Sequence, residues 1–361
     1  MCSSDLYWNT MARILFILKR RPDFNQKIHN HVGISTGLFN SVKFMDTMLQ
    51  EAGVESKMFV AIYNNCIDRE VRAYKPTHVV VEALWVVPCK FVILSKLHPI
   101  VTWIVRLHSE MPFIASEGVA MDWLGDYARF PNIVIGVNAP RMMEETRTYL
   151  KTVYDWDEKE LNRRVVYMPN FYPQEYKTKK FDTGKPYLDI SCFGAIRPLK
   201  NHLLQAICAV EFAESLNKKC RFHINSGRIE MKGEPILNNL KGLFQHLADK
   251  GHEMIAHEWV PRDKFLEICA DMDIGMQASI SETFNIVAAD HLSQGVPVVT
   301  SSEMPWAVRW FCAEPVERTD ILKKLKRVYR FPELNVLTNQ YSLTHYTNQT
   351  RKIWLEYFRN K

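Results

Sequence analysis

"SETFNIVAADHLSQGVPVVTS", Ser281–Ser301, is the stretch whose reading decides the fold. Its apolar residues from Ile286 to Leu292 are spaced for a short helix over Asn285–Gln294. Gly295 ends that helix, and Pro297 sits where the chain has already turned back into a strand. The strand is "VPVVTS", and another, "DIGMQAS", precedes the helix. Strand, helix and strand in so few residues make one unit of a parallel sheet.

Working outward, the same alternation fills the chain. Towards the C-terminal side of the sequence, "LDISCFGAI", "CRFHINS" and "MIAHEWV" read as strands. Between them "NHLLQAICAVEFAESLN" reads as a helix with apolar residues at Leu203, Ile207, Val210 and Leu216. "PILNNLKGLFQHLADKG" starts at a proline and stops at a glycine, and "RDKFLEICADM" is a further helix. Nearer the start, "ARILFILK", "VESKMFVAI", "THVVVEAL", "IVTWIVRLHS", "NIVIGVN" and "RVVYMPN" read as strands. Helices are expected at "LFNSVKFMDTMLQEAG" (Leu38, Val42, Met45 and Leu49 on one face), "PCKFVILSKLH" and "RMMEETRTYLKTVY". The stretch 171–187, "FYPQEYKTKKFDTGKPY", lacks periodicity and reads as a linker.

The expected architecture is therefore α/β: two Rossmann-like domains, 11–170 and 188–340, facing each other across a cleft. A C-terminal helix at 341–361 crosses back to the first domain. In its tail, Ile353, Trp354, Tyr357 and Phe358 either pack on that domain or touch a membrane surface. The first ten residues, "MCSSDLYWNT", resemble a translated sequencing adapter more than a leader, which makes Met11 the expected start.

Composition narrows the function classes. The net charge of +6 over 361 residues suits a phosphate-bearing partner but is too dispersed for a dedicated nucleic-acid-binding domain. No apolar run reaches the length of a membrane span. Apart from Cys2, the cysteines are scattered from Cys66 to Cys312 without CxxC pairs or metal-ligand spacing. Reduced, buried thiols in a cytoplasmic protein, with no metal site, are expected. Neither half opens with GxGxxG, which argues against a dinucleotide-dependent dehydrogenase.

Ligands of open parallel sheets bind beyond the carboxyl ends of the strands. There the sequence places Glu282 before the helix and Asp290, after seven intervening uncharged residues, inside it. A helix N-terminus takes a phosphate readily, whereas carboxylates repel phosphate and accept hydrogen bonds from hydroxyls. Two acids roughly 12 Å apart at helical rise, flanking an uncharged turn, match a nucleotide diphosphate-sugar. Glu282 then meets the sugar, the N–H groups of Thr283, Phe284 and Asn285 meet the diphosphate, and Asp290 meets the ribose. Arg197 and Lys200, after "LDISCFGAI", are placed to stabilise a departing diphosphate without a metal.

The stretch Ser281–Ser301 resembles the donor-site signature of retaining, two-domain (GT-B) glycosyltransferases, in particular glycosyltransferase family four. In that family the second acid is usually Glu, where this chain has Asp290. "FGAIRPLKN" is similar to the family's Gly–Arg…Lys segment, and "HEWVPRDKFLEICADMDIGMQAS" to the elements before the acid pair. The resemblance implies a cleft between the domains and metal-free transfer with no bound cofactor beyond the donor. It also implies a base-holding loop at Trp259 and Val260. Arg228, in "NSGRIEMKGE", and Gly37, in "GISTG", are weaker donor-side candidates. His108, in "VRLHSE", is placed at the reaction centre, with Glu110 and Glu117 as acceptor contacts. The acceptor stays open among a glycan, a lipid-linked glycan, a protein and a nucleic-acid base. A nucleotide-sugar epimerase of the same fold, or a catalytically inactive sugar-binding module, stays open too.

Overall fold

The computed structural model describes residues 12–19 and 37–359. The leader 1–10 and most of "GISTG" lie outside them; of that motif only Gly37 is described.

Two six-stranded sheets, every neighbouring pair parallel, organise the described residues. The first contains β1 (Arg13–Lys19), β2 (Glu55–Ala61), β3 (His78–Glu82), β4 (Thr102–Leu107), β5 (Ile133–Val137) and β6 (Val165–Tyr167), ordered β2-β1-β3-β4-β5-β6. The second contains β7 (Tyr187–Cys192), β8 (Lys219–Asn225), β9 (Glu253–His257), β10 (Ile274–Gln277), β11 (Val298–Ser301) and β12 (Cys312–Ala313), ordered β12-β11-β10-β7-β8-β9. The order reverses between β1 and β3 in one sheet and between β7 and β10 in the other. At such a reversal the two adjoining loops leave in opposite directions and open a crevice. Strands β3 and β5 are buried along their whole length, as expected of strands covered on both faces.

Several elements depart from the sequence reading. Helices Cys66–Tyr74, Ala120–Ala128 and Arg318–Arg330 were not expected. The last carries the basic run "LKKLKRVYR" and buries Ile321, Leu325 and Val328 at helical spacing. In helix His202–Ser215, Ile207 is exposed, and Ala206, Ala209 and Ala213 are buried. That helix packs between strands β7 and β8 and the helices Glu234–Leu247 and Arg318–Arg330, so close approach favours small side chains. Cys89 is exposed, against the expectation of buried thiols, while the other described cysteines are buried and all are free.

The final helix spans Pro332–Arg359, so the expected boundary at 340 falls inside it. Its end packs on the first domain. Trp354 is fully buried, its ring 6.0 Å from that of Phe16, and its indole N–H donates to the Pro169 carbonyl at 2.9 Å. Phe358 is buried with it, which takes these two rings away from any membrane surface. The stretch 171–187 is not a loose tether. Tyr172 is buried against Phe284 and Phe44, and the Lys177 N–H donates to the Ser293 carbonyl at 2.7 Å. Tyr187 already belongs to β7.

Candidate active site

A cavity of about 370 Å³ lies between the carboxyl ends of the two sheets. Glu282, Thr283, Phe284, Asn285, Asp290, Arg197, Lys200, Arg228, Trp259, Val260, His108 and Gly37 all line it, as does Glu117. Glu110 is not in its wall.

The centre of the site is an ion pair. Lys200 Nζ lies 2.6 Å from Glu282 Oε2, both side chains being nearly buried. Lys200 arrives through a turn after β7, and Gly194 opens that turn at φ +114°, a conformation that disfavours any side chain. Glu282 arrives from the loop after β10. Asn285 fixes that loop: at φ 60° its side-chain oxygen accepts the Ala288 N–H and caps the helix Ile286–Ser293. Its amide donates to Gln277 Oε1 at 2.9 Å and to Glu282 Oε2 at 3.2 Å. Burial pushes the Glu282 carboxyl up, but Lys200 and then Arg197 outweigh it and hold it below the usual range. A buried carboxylate kept ionised can orient sugar hydroxyls and face developing positive charge.

Arg197 and Arg228 form the cationic wall. The Arg197 guanidinium lies 5.0 Å over the Phe113 ring of the first domain and 3.7 Å from Glu230 Oε2, and its Nε has no hydrogen-bond partner among the described residues. Arg228 pairs with Glu230 and lies 5.3 Å from the Trp259 ring.

Asp290 is committed on one oxygen. Its Oδ1 accepts from the Tyr172 hydroxyl at 2.7 Å and from Arg262 at 2.9 Å. Burial raises its pKa, with Arg262 and Tyr172 opposing. Arg262 in turn lies 4.9 Å over the Phe44 ring, so a contact from Asp290 reaches the first domain.

His108 stands at the end of β4. Its Nε2 bonds the fully buried Glu82, which also accepts from Arg106 at 3.2 Å. Burial, then the Arg106 charge, lowers the His108 pKa despite Glu82, which favours the neutral ring. Arg106 is held by the Met168 carbonyl at 2.9 Å and the Pro169 carbonyl at 3.1 Å. Asn138 joins the halves, donating to Thr283 Oγ1 at 3.1 Å, while the Thr283 hydroxyl donates to the His108 carbonyl at 3.2 Å. Thr283 thus spends its side chain on closing the cleft. Phe284 spends its ring on the core formed with Tyr172, Trp306 and Tyr346.

Glu82, Arg106, Asn138, Arg262 and Phe113 were missed from sequence. Glu82, Arg106 and Asn138 are lone polar residues in or beside apolar strands, Arg262 begins a helix and Phe113 lies in a short one, and each has a partner distant in the chain. Among the described residues no group of three or more His, Cys, Asp or Glu side chains is placed to hold a metal ion, and no helix is long and apolar enough to cross a membrane.

No family model and no curated protein matches the sequence. Solved structures do match the fold. A sucrose-phosphate synthase from Thermosynechococcus elongatus is 10% identical, covering 96% of this chain and 98% of its own, with a TM-score of 0.69. A UDP-forming α,α-trehalose-phosphate synthase from Burkholderia xenovorans is 11% identical, covering 97% of each chain, with a TM-score of 0.67. A trehalose-6-phosphate structure from E. coli, bound with UDP-2-fluoro glucose, is 10% identical, covering 96% and 99%, with a TM-score of 0.65. Coverage of both chains from end to end, through both sheets, shows that this protein has the two-domain GT-B glycosyltransferase fold.

Proposed function

We propose that the protein is a retaining glycosyltransferase that moves a sugar from a nucleotide diphosphate-sugar to an acceptor hydroxyl without a metal ion, and that it belongs with the family-four enzymes. The observation that carries this reading is the buried Lys200–Glu282 pair, with Arg197 beside it, at the switch point of the second sheet and facing His108 of the first. Fixed cations aimed at a departing diphosphate stabilise its developing charge, and in a closed cleft such a group contributes about 10²–10³ in rate. Arg197, Lys200 and Arg228 fill that role. Glu282 orients the sugar hydroxyls and stabilises the oxocarbenium-like centre that forms as the anomeric bond loosens. The acceptor hydroxyl enters on the face the diphosphate leaves, and a departing phosphate oxygen takes its proton. His108, fixed by Glu82, hydrogen-bonds the transferred sugar from the first domain. Asp290 meets the ribose with the oxygen that Tyr172 and Arg262 do not use, and Trp259–Val260 flank the base. Domain closure through Asn138 and Thr283 excludes water that would otherwise hydrolyse the donor.

The cytoplasm is the proposed location, because the described cysteines are all free. UDP-glucose is the first donor to try, since a fold neighbour is bound with UDP-2-fluoro glucose. The test is release of nucleotide diphosphate from a panel of nucleotide-sugars, with chelator present, beside Glu282→Ala and Arg197→Ala. Release from one donor, unaffected by chelator and lost in both variants, is expected. A folded protein that neither binds nor cleaves any donor is an inactive module, and the reading fails.

A further inference from the structure

The cationic wall contains an acid that the mechanism above does not use. Glu230 lines the cavity with one carboxylate oxygen on Arg228 and the other 3.7 Å from Arg197. All three side chains are about four-fifths buried or more, at 21%, 17% and 18% exposure for Arg197, Arg228 and Glu230. Screening there is weaker than at an open surface.

The arrangement is built by the backbone. The loops carrying Arg197 and Glu230 are stitched together as a parallel bridge between Ile196 and Ile229. The Ile196 N–H donates to the Arg228 carbonyl at 3.0 Å, and the Glu230 N–H to the Ile196 carbonyl at 2.9 Å. Gly233 closes the loop, where an added Cβ would come within 2.1 Å of the Ile196 carbonyl oxygen. Met231 and Lys232 both adopt left-handed backbone, at φ 51° and 63°, without being glycine. Two such residues in succession are strained, and surrounding structure must hold them there. The register of this bridge sets Glu230 between the two arginines.

A diphosphate that engages Arg197 and Arg228 meets the Glu230 carboxylate at close range. Like charges repel, and one anion must give up its guanidinium contacts to the other. We propose that Glu230 is an internal competitor for the leaving group: it holds Arg228 and Arg197 in the empty donor site and sets how tightly the departing nucleotide diphosphate is kept. The inference rests on the donor-site reading above. It makes Glu230 a positioning residue that limits product affinity, so that the site does not stall on its own leaving group.

The experiment is calorimetric titration of UDP, GDP, ADP, CDP and TDP into the full chain, wild type beside Glu230→Gln and Glu230→Ala, at low and high salt. The matching nucleoside is the control. Both variants are expected to bind the diphosphate about tenfold more tightly. The gain should shrink as salt rises, and nucleoside binding should stay unchanged. Unchanged or weaker diphosphate binding in both variants, with wild type binding normally, overturns the inference alone. If neither wild type nor the folded variants bind any nucleotide diphosphate, the donor-site reading falls with it.

Discussion

Lys200 and Glu282, separated by 82 residues in sequence, meet at 2.6 Å with side chains only 8% and 10% exposed. Truncating one partner of such a pair strands the other charge. Lys200→Met is expected to cost about 3–5 kcal/mol of stability and to abolish turnover. The double variant Lys200→Met/Glu282→Gln should recover most of the stability and none of the activity, which separates charge burial from catalysis. Urea unfolding and donor turnover on the same samples measure both. The pH dependence has a definite sign. Glu282 is held below its ordinary pKa, so its contribution is present above the unfolded carboxylate value and fades as pH falls through the folded one. In Lys200→Met that acid-side loss should disappear.

Ser281–Ser301 revealed the fold because its signals are local: apolar spacing, a glycine stop and strands on either side. Glu282, Lys200 and Asn285 were legible for the same reason, each lying just after a strand. Arg106 was not, because inside "TWIVRL" it reads as a charge in a strand, and its partners are Glu82, Met168 and Pro169. The commitment of Asp290 to Tyr172 and of Thr283 to Asn138 depends on how the two domains close, and no residue spacing encodes that. Helix Arg318–Arg330 was legible in principle from Ile321, Leu325 and Val328, but its lysines and arginines drew attention to charge first. Ile207 is exposed although it shares the apolar spacing, because periodicity gives a helix's faces without saying how many neighbours cover them.

His202 follows Lys200 closely and is fully buried, with neither ring nitrogen hydrogen-bonded among the described residues. Burial, then the Lys200 and Arg197 charges, push its pKa down to about 3. A histidine whose folded pKa lies below its unfolded value contributes fully above about pH 6.5 and loses that contribution as pH falls. His202→Met, similar in volume and unable to titrate, should therefore flatten the decline in stability between pH 7.5 and pH 5 by about 2 kcal/mol. Denaturant unfolding at the two pH values measures it. An equally steep decline in both proteins would place the acid sensitivity elsewhere, for instance at buried His291, whose pKa burial lowers to about 4.

Gly37 begins the first helix of one domain, and Ile286 begins the helix after Glu282 in the other. A Cβ at Gly37 would lie 3.0 Å from Ile286 Cγ2, tighter than ordinary contact. Gly37→Val is thus expected to hold the domains apart. Turnover should drop about tenfold or more, because a misplaced wall costs the aligned geometry that transfer needs. Adding Ile286→Ala should restore much of it by removing the clash. Steady-state kinetics, with small-angle scattering to follow closure, distinguishes this from a local helix defect, which the second substitution would not repair.

Arg141 ties the domains at the rim. It bonds Glu110 of its own domain and Glu303 of the other, with a distance of 3.0 Å from its Nη1 to Glu303 Oε1. Burial raises the Glu110 pKa to about 7 against the pull of Arg141, and the nearby Glu303 and Glu145 add to the rise. A carboxyl whose folded pKa exceeds its unfolded value stabilises most below the unfolded pKa. It loses that contribution as pH climbs through the folded value, here about 7. Wild type should therefore soften between pH 6 and pH 8. Glu110→Gln keeps a hydrogen-bond acceptor for Arg141 and removes the titration, so its melting temperature should change less over that range and exceed wild type at pH 8. Arg141→Met would break the tie to Glu303 at every pH and leave Glu110 buried without its cation. That variant should weaken closure throughout and push the Glu110 titration higher still, visible as a transition displaced upward in a pH series of melting temperatures.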